Sequence, residues 1–532
     1  MKRSALLVIG LLLGGVSLIS AGCQKGKEDD PGEKPITLTW YLRGDAERMS
    51  NLRAIKEIEE QVGVKIEYLV PVGDAEDSFQ MMLASGKLPD IIQWSYPTYP
   101  SKGSVNSVFL DNIALDLTPY IKEYAPNLSA IYQNRPEIYN EILTLDGKLL
   151  YFAAINPMLR QEEIARKANS GLIIRADWLE SLGLQIPQTM EDWYETLSAF
   201  KKGDPNKNGQ EDEIPFDGNG ISNFVPAFGI LEGICVRDGK VIYGPMEQEY
   251  REYLECMRLW YLEGLIDKES LMAASYWREE NIKGNITGSF SGLDNAWSAY
   301  LEALQEKEPN ARLAAVPWPR GEDDNARYTG REEMATHLSR EITIITNECE
   351  YPEKAVELID FFYGEKGDTL LHWGVEGETY EIVNGKKRLT EEALKVDPES
   401  GRCMLVWNYA IPYQGFPKYN GEEVVHQLYT EEWIEAELVW AECDTSLIYP
   451  PTIIMSEKEL KIVNEHLKEI KPYAANMKVQ FITDTEPLNN YDNYVKTLQK
   501  LGINEVLEIY QRNYDIYYKR MESIGKSEQA EE

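Results

Sequence analysis

Asp204, Asn206 and Asn208 alternate along the run DPNKNGQEDEIP, residues 204–215. Side-chain oxygens at every second position of a tight loop converge on one point, and calcium takes oxygen ligands of this kind. Gly209 permits the sharp turn, the Gln210 carbonyl can face inward, and Asp212 and Glu213 add carboxylates. The first nine positions match a calcium loop. The twelfth departs from it: Pro215 stands where a bidentate Glu is usual, so Glu213 would have to supply that carboxylate from another position. The competing reading is a solvated turn that is merely rich in Asp, Asn and Gly.

The elements that hold this loop lie just before it. Leu172, Ile173 and Ile174 form an apolar, β-branched run that predicts a buried strand. Asp177 is expected to cap a short helix that Gly183 ends. Pro187 and Thr189 open a second helix, with Asp192 placed three residues after Thr189 as in a capping box. Trp193, Leu197 and Phe200 then share one helix face.

A second set of chemical groups lies nearer the amino terminus. Strand patterns at Ile36–Leu42, Val64–Val70 and Leu88–Gln93 alternate with helical stretches through Ile55, Ile58 and Val62 and over Phe79–Ala84. That alternation argues a parallel α/β sheet. Ligands of such sheets gather beyond the carboxyl ends of the strands, here residues 43–45, 71–74 and 94–96. Asp45, Trp94 and Tyr96 are therefore candidate ligand contacts. A flat ring there would meet the apolar C–H face of a sugar; the alternative for Trp94 is a core position.

Further along, Gly147–Ala154 reads as a strand and as the first crossing between two lobes. Asp238-Gly239, flanked by short apolar runs, is a hairpin signal. Glu249–Leu265 and Pro352–Tyr363 read as helices, Ala314–Val316 and Glu341–Thr346 as strands, and Glu457–Lys519 as helical. Gly288-Ser289-Phe290-Ser291-Gly292 has Phe290 at its centre and so is no nucleophile elbow.

The 532 residues suffice for two sizeable lobes. With 54 basic and 89 acidic side chains the net charge is −35, which disfavours nucleic acid and broad adhesion to anionic lipid. The four histidines stand at no metal spacing, and no phosphate or dinucleotide fingerprint occurs. The six cysteines form no CxxC pair, so buried thiols are expected rather than zinc.

Lys2 and Arg3 precede an apolar run from Ala5 to Gly22 that reads as a signal peptide, residues 1–22. It ends in Ser20-Ala21-Gly22-Cys23, similar to a lipoprotein cleavage box in which the Cys23 thiol takes the lipid. Residues 23–35 are charged and carry Pro31 and Gly32, as a lipidated tether would.

Taken together, IRADWLESLGLQIPQTMEDW, DPNKNGQEDEIP and the GVEGETY run from Gly374 resemble bacterial extracellular solute-binding proteins of family 1. More narrowly, the chain is similar to the large oligosaccharide-binding lipoproteins of ABC importers in Gram-positive bacteria, related to alginate-binding proteins. The resemblance covers nearly the whole mature chain. It implies a two-lobe periplasmic-binding-protein-like α/β fold, each lobe a mainly parallel sheet flanked by helices, with a hinge between. The first lobe would comprise 36–155 and 338–400, and the second 156–337 and 401–532 with the calcium loop at 204–213. It implies a structural calcium ion held by Asp204, Asn206, Asn208, Gln210, Asp212 and Glu213. Trp297 and Trp373 would join Asp45, Trp94 and Tyr96 at the sugar; Trp407, in the separate aromatic stretch Trp407-Asn408-Tyr409, is a further candidate. The expected protein is a monomer without a catalytic step, lipid-anchored outside the cell membrane, with an oligosaccharide ligand and permease subunits as partners. A secreted carbohydrate-active enzyme and a sugar-binding adhesion or sensing lipoprotein are the alternatives. Arg43, Arg160, Arg175 and Arg278 are the arginines considered for an acidic saccharide.

Overall fold

The computed structural model describes residues 35–95, 112–156, 170–272, 279–293, 297–321, 326–397, 402–412, 416–419, 423–428 and 430–531. Cys23, Tyr96, Arg160 and Arg278 lie outside the described residues. Among the described residues no helix is long and apolar enough to cross a membrane.

Alternation of apolar and polar side chains builds the amino-terminal strands. In β2 (Val64–Leu69) Val64, Ile66 and Tyr68 are buried while Lys65, Glu67 and Leu69 face out, as a strand packed on one face requires. It pairs in parallel with β1 (Ile36–Tyr41), which pairs in parallel with β3 (Ile91–Ser95). β4 (Phe152–Ile155) and a late arrival, β11 (Leu338–Ile345), complete the order β2-β1-β3-β11-β4. β11 runs antiparallel to both of its neighbours.

The second sheet has the order β10-β5-β9-β6, from β5 (Ser170–Arg175), β6 (Ile214–Phe216), β9 (Thr287–Leu293) and β10 (Leu313–Val316). All six residues of β5 are buried, as its continuous apolar run predicts. β5 is antiparallel to β10 and β9, and β6 is parallel to β9. Outside both sheets, β7 (Ile234–Arg237) and β8 (Lys240–Tyr243) form the hairpin. Asp238 and Gly239 turn it with φ of 51° and 75°.

Each sheet thus contains one reversed strand in an otherwise common direction, and the crossings explain which one. Leu338, the first residue of β11, pairs with Ile155, the last of β4. Leu172, near the start of β5, pairs with Val316, the end of β10. A strand that enters a lobe at the hinge must start where the strand that leaves it ends, so the entering strand is antiparallel.

Two separate hydrophobic cores support two lobes. Trp40, Phe79, Trp94, Phe152, Ile359 and Phe362 belong to the first, under the five-stranded sheet. Trp178, Trp193, Phe200, Trp260, Phe481 and Tyr494 belong to the second. The helix Glu457–Ile482, closed by a Ser456–Glu459 capping box, adds Val463, Leu467 and Ile470 to that second core. A smaller cluster between Trp373 and Trp433 packs by itself. The last helix returns to the first lobe: Arg520 donates to the carbonyls of Asn140, Leu143 and Thr144. At Gly171 an added Cβ would fall inside the Trp440 indole, whose Nε1 donates to the Leu172 carbonyl at 3.1 Å. Of the cysteines, Cys235 is a buried free thiol, and burial pushes its pKa up to about 11.

Candidate functional site

Helix Met190–Gly203 delivers the oxygen-rich loop. Its capping box is complete, with Thr189 and Asp192 each accepting from the other's backbone N–H. Asp204 ends the helix in the left-handed region at φ 43°, and Lys207 and Gly209 follow at 57° and 74°. These turns fold the loop onto itself. Asp204 Oδ1 and Oδ2 accept from the backbone N–H groups of Asn208 and Gly209, each at 3.1 Å. The Asn206 and Asn208 amides both donate to Asp212, at 3.2 and 3.0 Å. Asn208 Oδ1 accepts from Gln210 N at 2.7 Å.

Five of the six expected donors are therefore linked by direct hydrogen bonds. The sixth, Glu213, has a buried Oε1 with no hydrogen-bond partner. Burial raises the Glu213 pKa, and the charges of Asp212 and Asp204 add to the rise. A divalent cation would relieve both causes. Turning the Asn206 and Asn208 amides over would replace their N–H groups at Asp212 with oxygens. Among the described residues no three His, Cys, Asp or Glu side chains converge as a metal cluster. The loop's three carboxylates, Asp204, Asp212 and Glu213, therefore do not meet as such a group; with two side-chain amides and a main-chain carbonyl beside them, the donor types are of the all-oxygen kind that calcium takes.

The loop is tied to the sheet beneath it. Asn206 Nδ2 donates to the Asn285 carbonyl at 3.3 Å. Asn285 Oδ1 in turn accepts from Arg175 at 2.6 Å. Arg175 is fully buried and binds Asp177 through two further bonds of 2.9 and 2.6 Å. Asp177 therefore sits in the first turn of the helix Ala176–Leu182 as the partner of Arg175, with Arg175 at the cap position. That corrects two sequence expectations: Asp177 is no cap, and Arg175 is not available to a saccharide.

The carboxyl end of β1 carries a second constellation. Asp45 caps the helix Ala46–Asn51, its Oδ1 accepting from Arg48 N at 2.9 Å. Arg48 then reaches a turn of π-helix at Leu405–Tyr409. It donates to the carbonyls of Val406 at 2.6 Å and Trp407 at 3.3 Å, and its guanidinium lies 5.4 Å from the Trp407 ring centroid. Burial and the charge of Arg402 lower the Arg48 pKa, against the pull of Asp45. A cavity of about 210 Å³ opens here, lined by Asp45, Glu47, Arg48, Asn51, Trp407 and Asn408. Two of the expected ligand contacts, Asp45 and Trp407, meet in it.

The other tryptophans lie elsewhere. Trp94 is 5% exposed, stacked on Phe79 at 4.0 Å and near Tyr41 at 6.0 Å, with Arg43 5.2 Å from its ring. Trp297 is buried against Trp440. Trp373 is buried against Tyr380 and approached by Lys387. None of the three presents an open ring face, because each is covered by side chains from elsewhere in the chain. Beside Trp94, Glu341 stands opposite Ser95 on β11; burial raises its pKa against the opposing effects of Gln93 and Arg43. Sequence reading missed Glu47, Arg48, Asn51, Asn408 and Glu341. For Arg48 a signal existed, since position i+3 from a cap residue shares its side of the first helical turn.

The chain is similar to known proteins over most of its length. It is 26% identical over 493 residues to the fructooligosaccharide ABC transporter substrate-binding protein FusA of Streptococcus pneumoniae serotype 4, covering 86% of each chain; FusA has also been solved as an EF-hand mutant. It is 27% identical over 391 residues to the polygalacturonan/rhamnogalacturonan-binding protein YtcQ of Bacillus subtilis, covering 71% of this chain and 74% of that one. Its fold matches the crystal structure of the alginate-binding protein AlgQ2 with a TM-score of 0.68 at 22% identity, covering 91% of this chain and 99% of that one. A family model for the bacterial extracellular solute-binding proteins matches residues 51–369, more than half of the chain, and the chain belongs to that family.

Proposed function

We propose that the protein is the substrate receptor of an ABC importer for an oligosaccharide, anchored by lipid at Cys23 on the outer face of the cell membrane. Its two lobes close on the sugar by hinge motion at the paired crossings, and the closed form is read by the permease subunits. The observation that carries this reading is the cavity at the carboxyl end of β1, where Asp45 and Trp407 meet. An aromatic face with a carboxylate beside it suits a ring that is apolar on one side and hydroxylated at its edge. What FusA and YtcQ bind supports a saccharide. We propose lobes of 36–155 with 338–400 and of 156–337 with 401–532, a division the two cores support except that Phe416 and Ile454 join the first core, and a monomer.

Calcium at Asp204, Asn206, Asn208, Gln210, Asp212 and Glu213 is part of the proposal, supported by the orphaned Glu213 Oε1 and by the EF-hand of FusA. When bound it would supply a fixed positive centre that cross-links the loop. No step of sugar binding is assigned to it.

A thermal-shift screen of the mature domain against oligosaccharides tests this reading, because a ligand that binds only the folded form must raise the melting temperature. A rise with one glycan class, the glycan recovered uncut, is expected. Cleaved glycan would instead establish a carbohydrate-active enzyme.

A further inference from the structure

We infer that the Asp45–Trp407 cavity is a subsite for one uncharged sugar ring and that it excludes uronic acids. The inference rests on the oligosaccharide reading above and adds the charge of the cargo. At about 210 Å³ the cavity is smaller than the pockets of ~300–1,000 Å³ that take drug-sized ligands, and so it suits a single ring rather than a chain.

The lining sets the charge preference. Asp45 and Glu47 bring two carboxylates and Arg48 one guanidinium. That guanidinium is already committed, donating to the Val406 and Trp407 carbonyls and lying against the Trp407 ring. It therefore acts as a positioning residue, holding the π-helical turn and with it the indole. Asn51 and Asn408 complete the polar rim with neutral amides. A hydroxylated ring stacked on Trp407 can donate to Asp45 and Glu47. A uronate carboxylate in the same place would face two like charges, against one guanidinium whose Nε and Nη2 already donate to main-chain carbonyls. Like-charge juxtaposition of this kind is how sites reject a wrong partner. Arg402 acts on Arg48 electrostatically but lies outside the cavity lining. Of the arginines considered for an acidic sugar, Arg175 is buried in its own pair with Asp177, Arg43 lies against the Trp94 ring and outside the cavity lining, and Arg160 and Arg278 lie outside the described residues. The net charge of −35 also repels a polyanionic glycan at long range.

The test is isothermal titration of the mature domain with two sets of probes. One is a set of neutral fructo-, xylo-, malto-, galacto- and manno-oligosaccharides, and the other is trigalacturonate and trimannuronate. Binding of a neutral member with no heat from either uronate is expected. For that neutral ligand, W407A is expected to weaken binding by about 10-fold or more, at an unchanged melting temperature, while W407F retains most of it. D45N gives a second reading that does not threaten the fold, because Asn caps a helix as well as Asp. It too should weaken binding, since a carboxylate accepts stronger hydrogen bonds than an amide. Binding of either uronate would overturn the charge selection. A neutral ligand unaffected by both W407A and D45N would overturn the subsite yet leave the oligosaccharide receptor standing. Silence from every saccharide would remove the receptor reading and the inference with it.

Discussion

Replacing Arg175 by alanine is expected to destabilise the domain by about 3–5 kcal/mol, the cost of breaking a buried ion pair from one side. Arg175 is fully buried and makes three hydrogen bonds, two to Asp177 and one to Asn285. It also lies 4.9 Å from the Trp178 ring centroid. The substitution leaves the Asp177 carboxylate, 17% exposed, without its cation, and opens a void beside Trp178. The effect should extend to the oxygen-rich loop. Asn285 is held in the left-handed region at φ 66° while its carbonyl receives Asn206. Loss of Arg175 frees Asn285, and Asn206 loses its support. Urea unfolding of the variant, followed by tryptophan fluorescence, measures the first effect; calcium titration measures the second. An unfolding midpoint unchanged from wild type would contradict the role assigned to Arg175.

Calcium is expected to stabilise the mature domain by about 2.7 kcal/mol when present at 100 times its dissociation constant, and chelator should remove that gain. Glu213 gives the effect a pH dependence. Without the ion its folded pKa lies above the ordinary carboxylate value, because of burial and the charges of Asp212 and Asp204. The fold then favours the protonated form. The stability this contributes is fully present below the unfolded pKa and is lost as pH rises through the folded one. At neutral pH the ion-free loop therefore carries an unrelieved carboxylate, which calcium would neutralise. The calcium-dependent rise in melting temperature should be greatest near neutral pH and shrink on acidification through the raised Glu213 pKa. The Glu213→Gln variant should flatten that part of the profile. Melting curves in calcium and in chelator from about pH 4, near the ordinary glutamate pKa, to about pH 7.5 decide it, and equal melting temperatures throughout would exclude the site.

Local chemistry was legible in the sequence wherever the governing interactions are themselves local. The Thr189–Asp192 capping box forms with both reciprocal bonds. The Asp238-Gly239 pair makes its hairpin turn. The helix at Pro352–Tyr363 begins and ends as its pattern predicts. Apolar runs marked burial more reliably than strand. Leu149, Leu150 and Tyr151 are buried as expected, yet the strand itself covers only Phe152–Ile155, because burial and ladder hydrogen bonding are different requirements.

What the sequence hid depends on partners far along the chain. Trp94 stands at a strand end as expected, but Phe79 stacks on it. Trp297 is covered by Trp440, which lies well over a hundred positions later. Arg48 and Trp407 are separated by 359 positions, and no pattern near either residue announces the pairing that builds the cavity. The reversed strands β5 and β11 are likewise set by where the chain crosses between lobes, which periodicity does not encode.

Small-angle X-ray scattering of the mature domain, with and without a saturating oligosaccharide from the thermal screen, tests the central claim most directly. Capture by two lobes predicts a smaller radius of gyration with ligand, at constant molecular mass and with the glycan recovered intact. An unchanged radius of gyration with the sugar bound would contradict capture by hinge closure.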